Sequence, residues 1–177
     1  MNNPRTHQIR AWFDGACEPK NPGGHAAWGT VVEVDGAVVL EKLGYVGYGP
    51  GMTSNVAEYC GCIAVLEQIA EHKGDAIVFS DSQMVINQMR GDWKVKKGAY
   101  VPYFKQVKTL LETVGADRVE FQWIPRDQNR RADTLSRKAL TEIELAPCRK
   151  LQERDESAEI VNADSEGIAQ LGAEVGL

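Results

Sequence analysis

Four acidic residues stand where sequence patterns change, and their places suit chemistry on a shared ligand. Asp14 follows the apolar run IRAWF, and Asp81 follows the apolar run AIVFS. Glu58 falls in the first turn of an amphipathic segment that opens at about Val56, and Asp133 falls inside another, flanked by Ala132 and Leu135. In an open α/β sheet, neighbouring parallel strands deliver the residues at their carboxyl ends to one edge, where ligands bind. If the two helices pack beside those strand ends, four carboxylates converge. Like charges a few ångströms apart raise one another's pKa. A hard, oxygen-seeking divalent cation such as Mg²⁺ or Mn²⁺ relieves that repulsion and keeps positions open for water and phosphate.

Each acid also has a purely structural reading. Asp81 suits the N-cap of the helix after it. Glu58 stands three residues after Asn55, close to the spacing of a capping box. Asp14-Gly15 reads equally as a turn. Asp133 is the hardest to place structurally, because Asp is a poor residue for a helix interior.

The elements that would position these acids follow from periodicity. Residues 9–17 read as a strand ending at an acidic turn. Residues 25–34 and 37–47 are valine-rich runs separated by Asp35-Gly36, a strong hairpin signal. Val56, Tyr59, Cys60, Ile63, Leu66, Ile69 and Ala70 recur at helical spacing up to about Lys73-Gly74. Residues 76–80 predict a short buried strand, and Ser82 to about Met89 a helix stopped near Gly91. The connector DWKVKKGAY leads to a helix with Val101, Phe104, Val107, Leu110, Leu111 and Val114 on its apolar face. Residues 119–124 predict the last strand, and Asp127 to about Leu140 the last helix. Three strands followed by β–α alternation imply an α/β fold: a five-stranded mixed sheet, its first three strands an antiparallel meander, flanked by helices.

With 177 residues, 43% of them hydrophobic and 25% charged, the chain is that of an ordinary globular protein. No window approaches the roughly 20 uncharged apolar residues of a membrane span. The N-terminal MNNPRTHQIR lacks the apolar core of a secretory signal. The spacing of Cys17, Cys60, Cys62 and Cys148 suits neither a disulfide framework nor a zinc site. A reduced, cytoplasmic protein without membrane contact is the expectation. Residues 142–177 carry nine acids against three bases, a net charge of −6, so residues 1–141 hold +1 of the total of −5. The acidic total thus belongs to a C-terminal tail, 142–177, whose composition favours mobility. The near-neutral body, 1–141, remains able to bind a phosphate backbone through clustered bases.

In order and context, FDGACEPKNPGG, MTSNVAEY, SDSQMVINQM and WIPRDQNRRADTLSR resemble the type-1 ribonuclease H family, most of all its short archaeal and bacterial branch. The resemblance covers about residues 9–140 and implies a ribonuclease H-like fold. It implies an endonuclease that hydrolyses the RNA strand of RNA–DNA hybrids with two Mg²⁺ or Mn²⁺ ions, leaving 5′-phosphate and 3′-hydroxyl ends. Asp14, Glu58, Asp81 and Asp133 would be the catalytic, metal-binding set, with Asp14 bridging both ions. Asn21, Asn55 and Gln83 would read the minor groove of the hybrid, through amides that donate and accept without demanding one base. Ser82 would contact substrate beside Gln83, and Gly15, Gly23 and Gly24 would let backbone approach the substrate closely.

Two departures from the family pattern stand out. The loop before the last acid carries histidine in many members, but here it reads Pro125-Arg126-Asp127. Arg126 is either a phosphate contact or the partner of a surface acid, and its pKa is too high for a proton shuttle. The basic handle is short, reduced to Arg90, Trp93, Lys94, Lys96 and Lys97, which would either grip the DNA strand or form a solvated loop. The expected partner is the hybrid, double-stranded RNA being a further substrate in part of that branch, and the expected state is a monomer. Rival readings with the same fold are an inactive hybrid-binding module and a nuclease or transferase acting on DNA.

Overall fold

The computed structural model describes residues 7–144, all within the first of the two units into which the chain divides, Met1–Glu144 and Leu145–Leu177. The tail expected from residue 142 lies outside the described residues apart from 142–144, which continue the last helix.

Strands β1 (His7–Glu18), β2 (His25–Val34) and β3 (Ala37–Tyr48) form the antiparallel meander. Asp35 and Gly36 turn β2 into β3 with φ of 52° and 82°, the pair of left-handed conformations that a two-residue hairpin requires. Helix α1 (Ser54–Ala70) leads to β4 (Gly74–Ser80), then α2 (Gln83–Arg90), α3 (Val101–Val114), β5 (Val119–Trp123) and α4 (Arg130–Glu144). The sheet order is β3-β2-β1-β4-β5, with β4 parallel to both β1 and β5.

α1 buries residues all round its circumference, because it lies between the sheet and α3. Phe13, Tyr59, Leu66, Ile69 and Val78 are fully buried in this layer, each large aliphatic or aromatic side chain contributing about 1.5–3 kcal/mol. A smaller cluster of Ala27, Ala139 and Leu140 seats α4 on the sheet. No helix among the described residues is long and apolar enough to cross a membrane.

Several boundaries differ from the expectation, and each difference bears on an acid. β1 continues through Asp14 to Glu18, so Asp14-Gly15 is strand and not a turn. Its pairing with β4 stops at Trp12–Phe79, however, and beyond that point β1 pairs only with β2. Asp14 therefore still lies just past the carboxyl end of the parallel pairing. α1 is capped by Thr53, whose side chain accepts from the Val56 N–H at 3.1 Å. Glu58 is thus beyond the first turn, and the capping-box reading from Asn55 fails. Ser82, not Asp81, caps α2. The last helix begins only at Arg130, after a 3₁₀ turn at Arg126–Gln128, so Asp133 belongs to its first turn. An acid is favoured there by the helix dipole, which supplies the structural reason that Asp133 lacked as an interior residue.

Candidate active site

Two glycines beside Asp14 allow helices from opposite faces to reach it. A Cβ on Gly15 would collide with the Glu58 nitrogen and come within 2.5 Å of the Ala57 carbonyl carbon, so α1 lies directly against β1 here. Gly29 is the β2 residue paired with Asp14. A Cβ there would stand 2.5 Å from the Ala132 oxygen and the Ser136 nitrogen, so α4 lies against β2 at the same level. The first approach brings Glu58 to Asp14, and the second brings Ser136.

Asp14 is buried, and its Oδ2 accepts from Ser136 Oγ at 2.6 Å. Burial pushes its pKa up to about 6; the Ser136 bond opposes this, while Asp81 and Asp133 add to it. Glu58 is pushed up to about 8, again by burial first, against a 2.5 Å bond from Ser82 Oγ and with Asp14 and Asp81 raising it further. Asp81 Oδ1 accepts from Asn129 Nδ2 at 2.7 Å, and the same amide nitrogen donates to the Phe13 carbonyl at 2.9 Å. Asn129 thereby ties the exit of β4 to β1. The indole of Trp123 donates to the Asp81 carbonyl at 3.1 Å. Asp133 is held by two arginines: Arg126 Nη2 lies 2.7 Å from Oδ1 and Arg137 Nε 3.1 Å from Oδ2.

These carboxylates repel one another, and their oxygens are hard donors. They fit Mg²⁺ or Mn²⁺ in donor chemistry. Among the described residues, no three acidic, His or Cys side chains are gathered tightly enough to enclose an ion.

The residues expected to touch substrate fall into two groups. Asn55 and Gln83 have amides without a protein partner among the described residues, and Trp93, Lys94 and Lys96 are exposed. The others are engaged within the protein. Asn21 pairs with Ser54, donating to Oγ at 2.8 Å and accepting from its N–H at 3.2 Å, which is cap chemistry. Ser82 Oγ serves Glu58 and the Val85 N–H together. The missing side chain of Gly15 accommodates α1, and that of Gly24 accommodates the carbonyls of Glu18 and Lys20. Arg126 partners an acid, and that acid is Asp133.

Sequence reasoning missed Ser136, Asn129, Arg137 and Trp123. Ser136 had a usable signal: it follows Asp133 by almost one turn and interrupts the inward row of Ala132, Leu135, Ala139 and Leu140.

A β3-β2-β1-β4-β5 sheet with acids past β1 and β4 and on the two helices that meet them defines the ribonuclease H-like class of α/β proteins. Residues 12–139 match the family described as reverse transcriptase-like. The bifunctional protein Rv2228c of Mycobacterium tuberculosis is 37% identical over 123 residues, 68% of this chain and 32% of that protein. The solved N-terminal RNase H domain of that protein superposes with a TM-score of 0.70 at 31% identity, covering 79% of this chain and 98% of the domain. A protein named Ribonuclease HI from Halobacterium salinarum is 35% identical over 137 residues, 77% of this chain and 66% of its own length. LC11-RNase H1, obtained from compost and solved in complex with an RNA/DNA hybrid, gives a TM-score of 0.69 at 29% identity over 77% of this chain and 99% of its own. The chain belongs to the type-1 ribonuclease H family. It spans about a third of the length of the mycobacterial protein and about two thirds of that of the halobacterial one.

Proposed function

We propose that the chain is an endonuclease that hydrolyses the RNA strand of RNA–DNA hybrids with little regard to sequence. What supports this reading most is that Asp14, just past the parallel pairing of β1 with β4, feels the charges of Asp81 and Asp133, and that Glu58 feels those of Asp14 and Asp81. Two Mg²⁺ or Mn²⁺ ions held by these acids would supply activation of the attacking water and stabilisation of the leaving 3′ oxygen, and the products would carry 5′-phosphate and 3′-hydroxyl ends. Asp14, which is coupled to the other acids, would hold the ions together with Asp81 and Asp133, and Glu58 would orient water near the ribose 2′-hydroxyl. Asn55 and Gln83 offer amides to base edges and 2′-hydroxyls. Trp93, Lys94 and Lys96 bind the DNA strand through ring-to-sugar contact and salt-dependent phosphate pairing.

The test is cleavage of labelled RNA–DNA hybrid, RNA duplex, DNA duplex and single strands, with and without Mg²⁺. The hybrid is cut by the wild type, and Asp14→Asn or Asp81→Asn lowers kcat by on the order of 10³ or more while hybrid binding persists. Cleavage of the hybrid in EDTA would overturn the metal mechanism, and preferential cleavage of a DNA duplex would overturn the substrate.

A further inference from the structure

The proposed chemistry needs Asp14 to present its carboxylate in one orientation, and α4 contains the group that sets it. Ser136 has no exposed surface. Its Oγ lies 2.6 Å from Asp14 Oδ2 and 2.9 Å from the backbone carbonyl of Asp133. A hydroxyl has one proton to give, and the closer, charged acceptor takes it. Its proton is thus committed to the strand acid, and the Asp133 carbonyl, 2.9 Å away on the same helix, is the alternative acceptor. Because Gly29 leaves no side chain between β2 and α4, the distance across this bond is fixed by backbone packing.

We propose that Ser136 is a positioning residue for divalent-ion binding, locking the plane of the Asp14 carboxylate relative to Asp133. The bond removes no ligand. Each carboxylate oxygen has two acceptor directions, so Oδ2 keeps one and Oδ1, which meets no protein donor among the described residues, keeps both. Ser136 differs here from Ser82, whose hydroxyl has an independent duty as the cap of α2. A serine fully buried in the inward row of α4 has no such duty, and alanine would fill the same space. Groups that orient a metal ligand from behind change ion affinity by roughly 10- to 100-fold when removed.

The inference rests on the carboxylates holding a divalent ion, and the experiment separates the two. Mg²⁺ binding to full-length protein without substrate is measured by calorimetry, alongside melting temperature, hybrid KM and kcat. Wild type binds Mg²⁺. Ser136→Ala and Ser136→Cys bind it about tenfold more weakly with hybrid KM unchanged, and Ser136→Thr, which retains the hydroxyl, recovers most of the affinity. Absence of Mg²⁺ binding by the wild type would overturn the metal reading itself. Wild-type affinity in Ser136→Ala, or a loss in Ser136→Thr equal to that in Ser136→Ala, would overturn the positioning role and leave the metal reading standing. If Ser136→Ala does not fold, Ser136→Cys against Ser136→Thr makes the same comparison.

Discussion

Asp133 is the one acid of the site whose charge is already balanced by protein. Arg126 and Arg137 each occupy one of its oxygens, at 2.7 and 3.1 Å. A divalent ion approaching Asp133 must compete with two cations. Removing Arg126 should therefore strengthen ion binding: Arg126→Ala is expected to lower the Mg²⁺ concentration for half-maximal activity severalfold. If hybrid KM rises instead and the Mg²⁺ midpoint stays, Arg126 acts as a phosphate contact and not as a competitor. The guanidinium stays charged at any working pH, so no pH-dependent proton transfer passes through it. Asp14 and Asp81 were legible because apolar strand runs stop beside them. The arginine clamp was not, since it depends on a 3₁₀ turn that starts α4 three residues later than its periodicity implies.

At the scale of elements, the basic connector between α2 and α3 hangs from a buried polar knot. Tyr59 donates to Gln88 Oε1 at 2.5 Å, and Gln88 Nε2 donates at 3.4 Å to both the Lys94 carbonyl and Tyr100 Oη. Tyr100 Oη in turn accepts from the Lys96 N–H and donates to the Lys96 carbonyl, both at 3.2 Å. The lysines reach solvent from a backbone that the core holds still. Gln88→Leu strands the buried Tyr59 hydroxyl and should cost about 1–3 kcal/mol in urea unfolding. Because it also loosens Lys94 and Lys96, hybrid KM should rise while kcat stays within about twofold. A stability loss with no change in KM would show that the connector does not touch the hybrid. DWKVKKGAY announced the charge and the aromatic ring of this connector. Its anchoring stayed hidden, because Gln88 reads as an ordinary polar residue of an amphipathic helix. The fold was legible for the opposite reason: strand alternation, the Asp-Gly hairpin and the helical rows are local signals, and they agree with one another.

For the whole molecule, the site is a stored electrostatic cost that should appear in stability before any substrate is added. Asp14 and Glu58 hold their protons up to about 6 and about 8 in the folded, ion-free protein, chiefly because burial disfavours their charged forms. In the unfolded chain both ionise in the usual carboxylate range. Below that range both states are protonated and the two groups contribute nothing to pH dependence. As pH rises the unfolded chain releases its protons first, so stability falls, and the penalty is complete once pH passes the raised folded values. The melting temperature in EDTA should thus decline between about pH 5 and about pH 8. Glu58→Gln, which has no proton to lose, should flatten the alkaline part of that decline. Saturating Mg²⁺ should flatten most of it, because the ion replaces the missing counter-charge and binds only the folded site. The decisive quantity is the wild-type minus Glu58→Gln difference, which cancels every titrating group that is not coupled to Glu58. A difference that stays constant with pH in EDTA would mean that Glu58 ionises normally in the fold, and the site would then carry its negative charge without needing an ion to balance it.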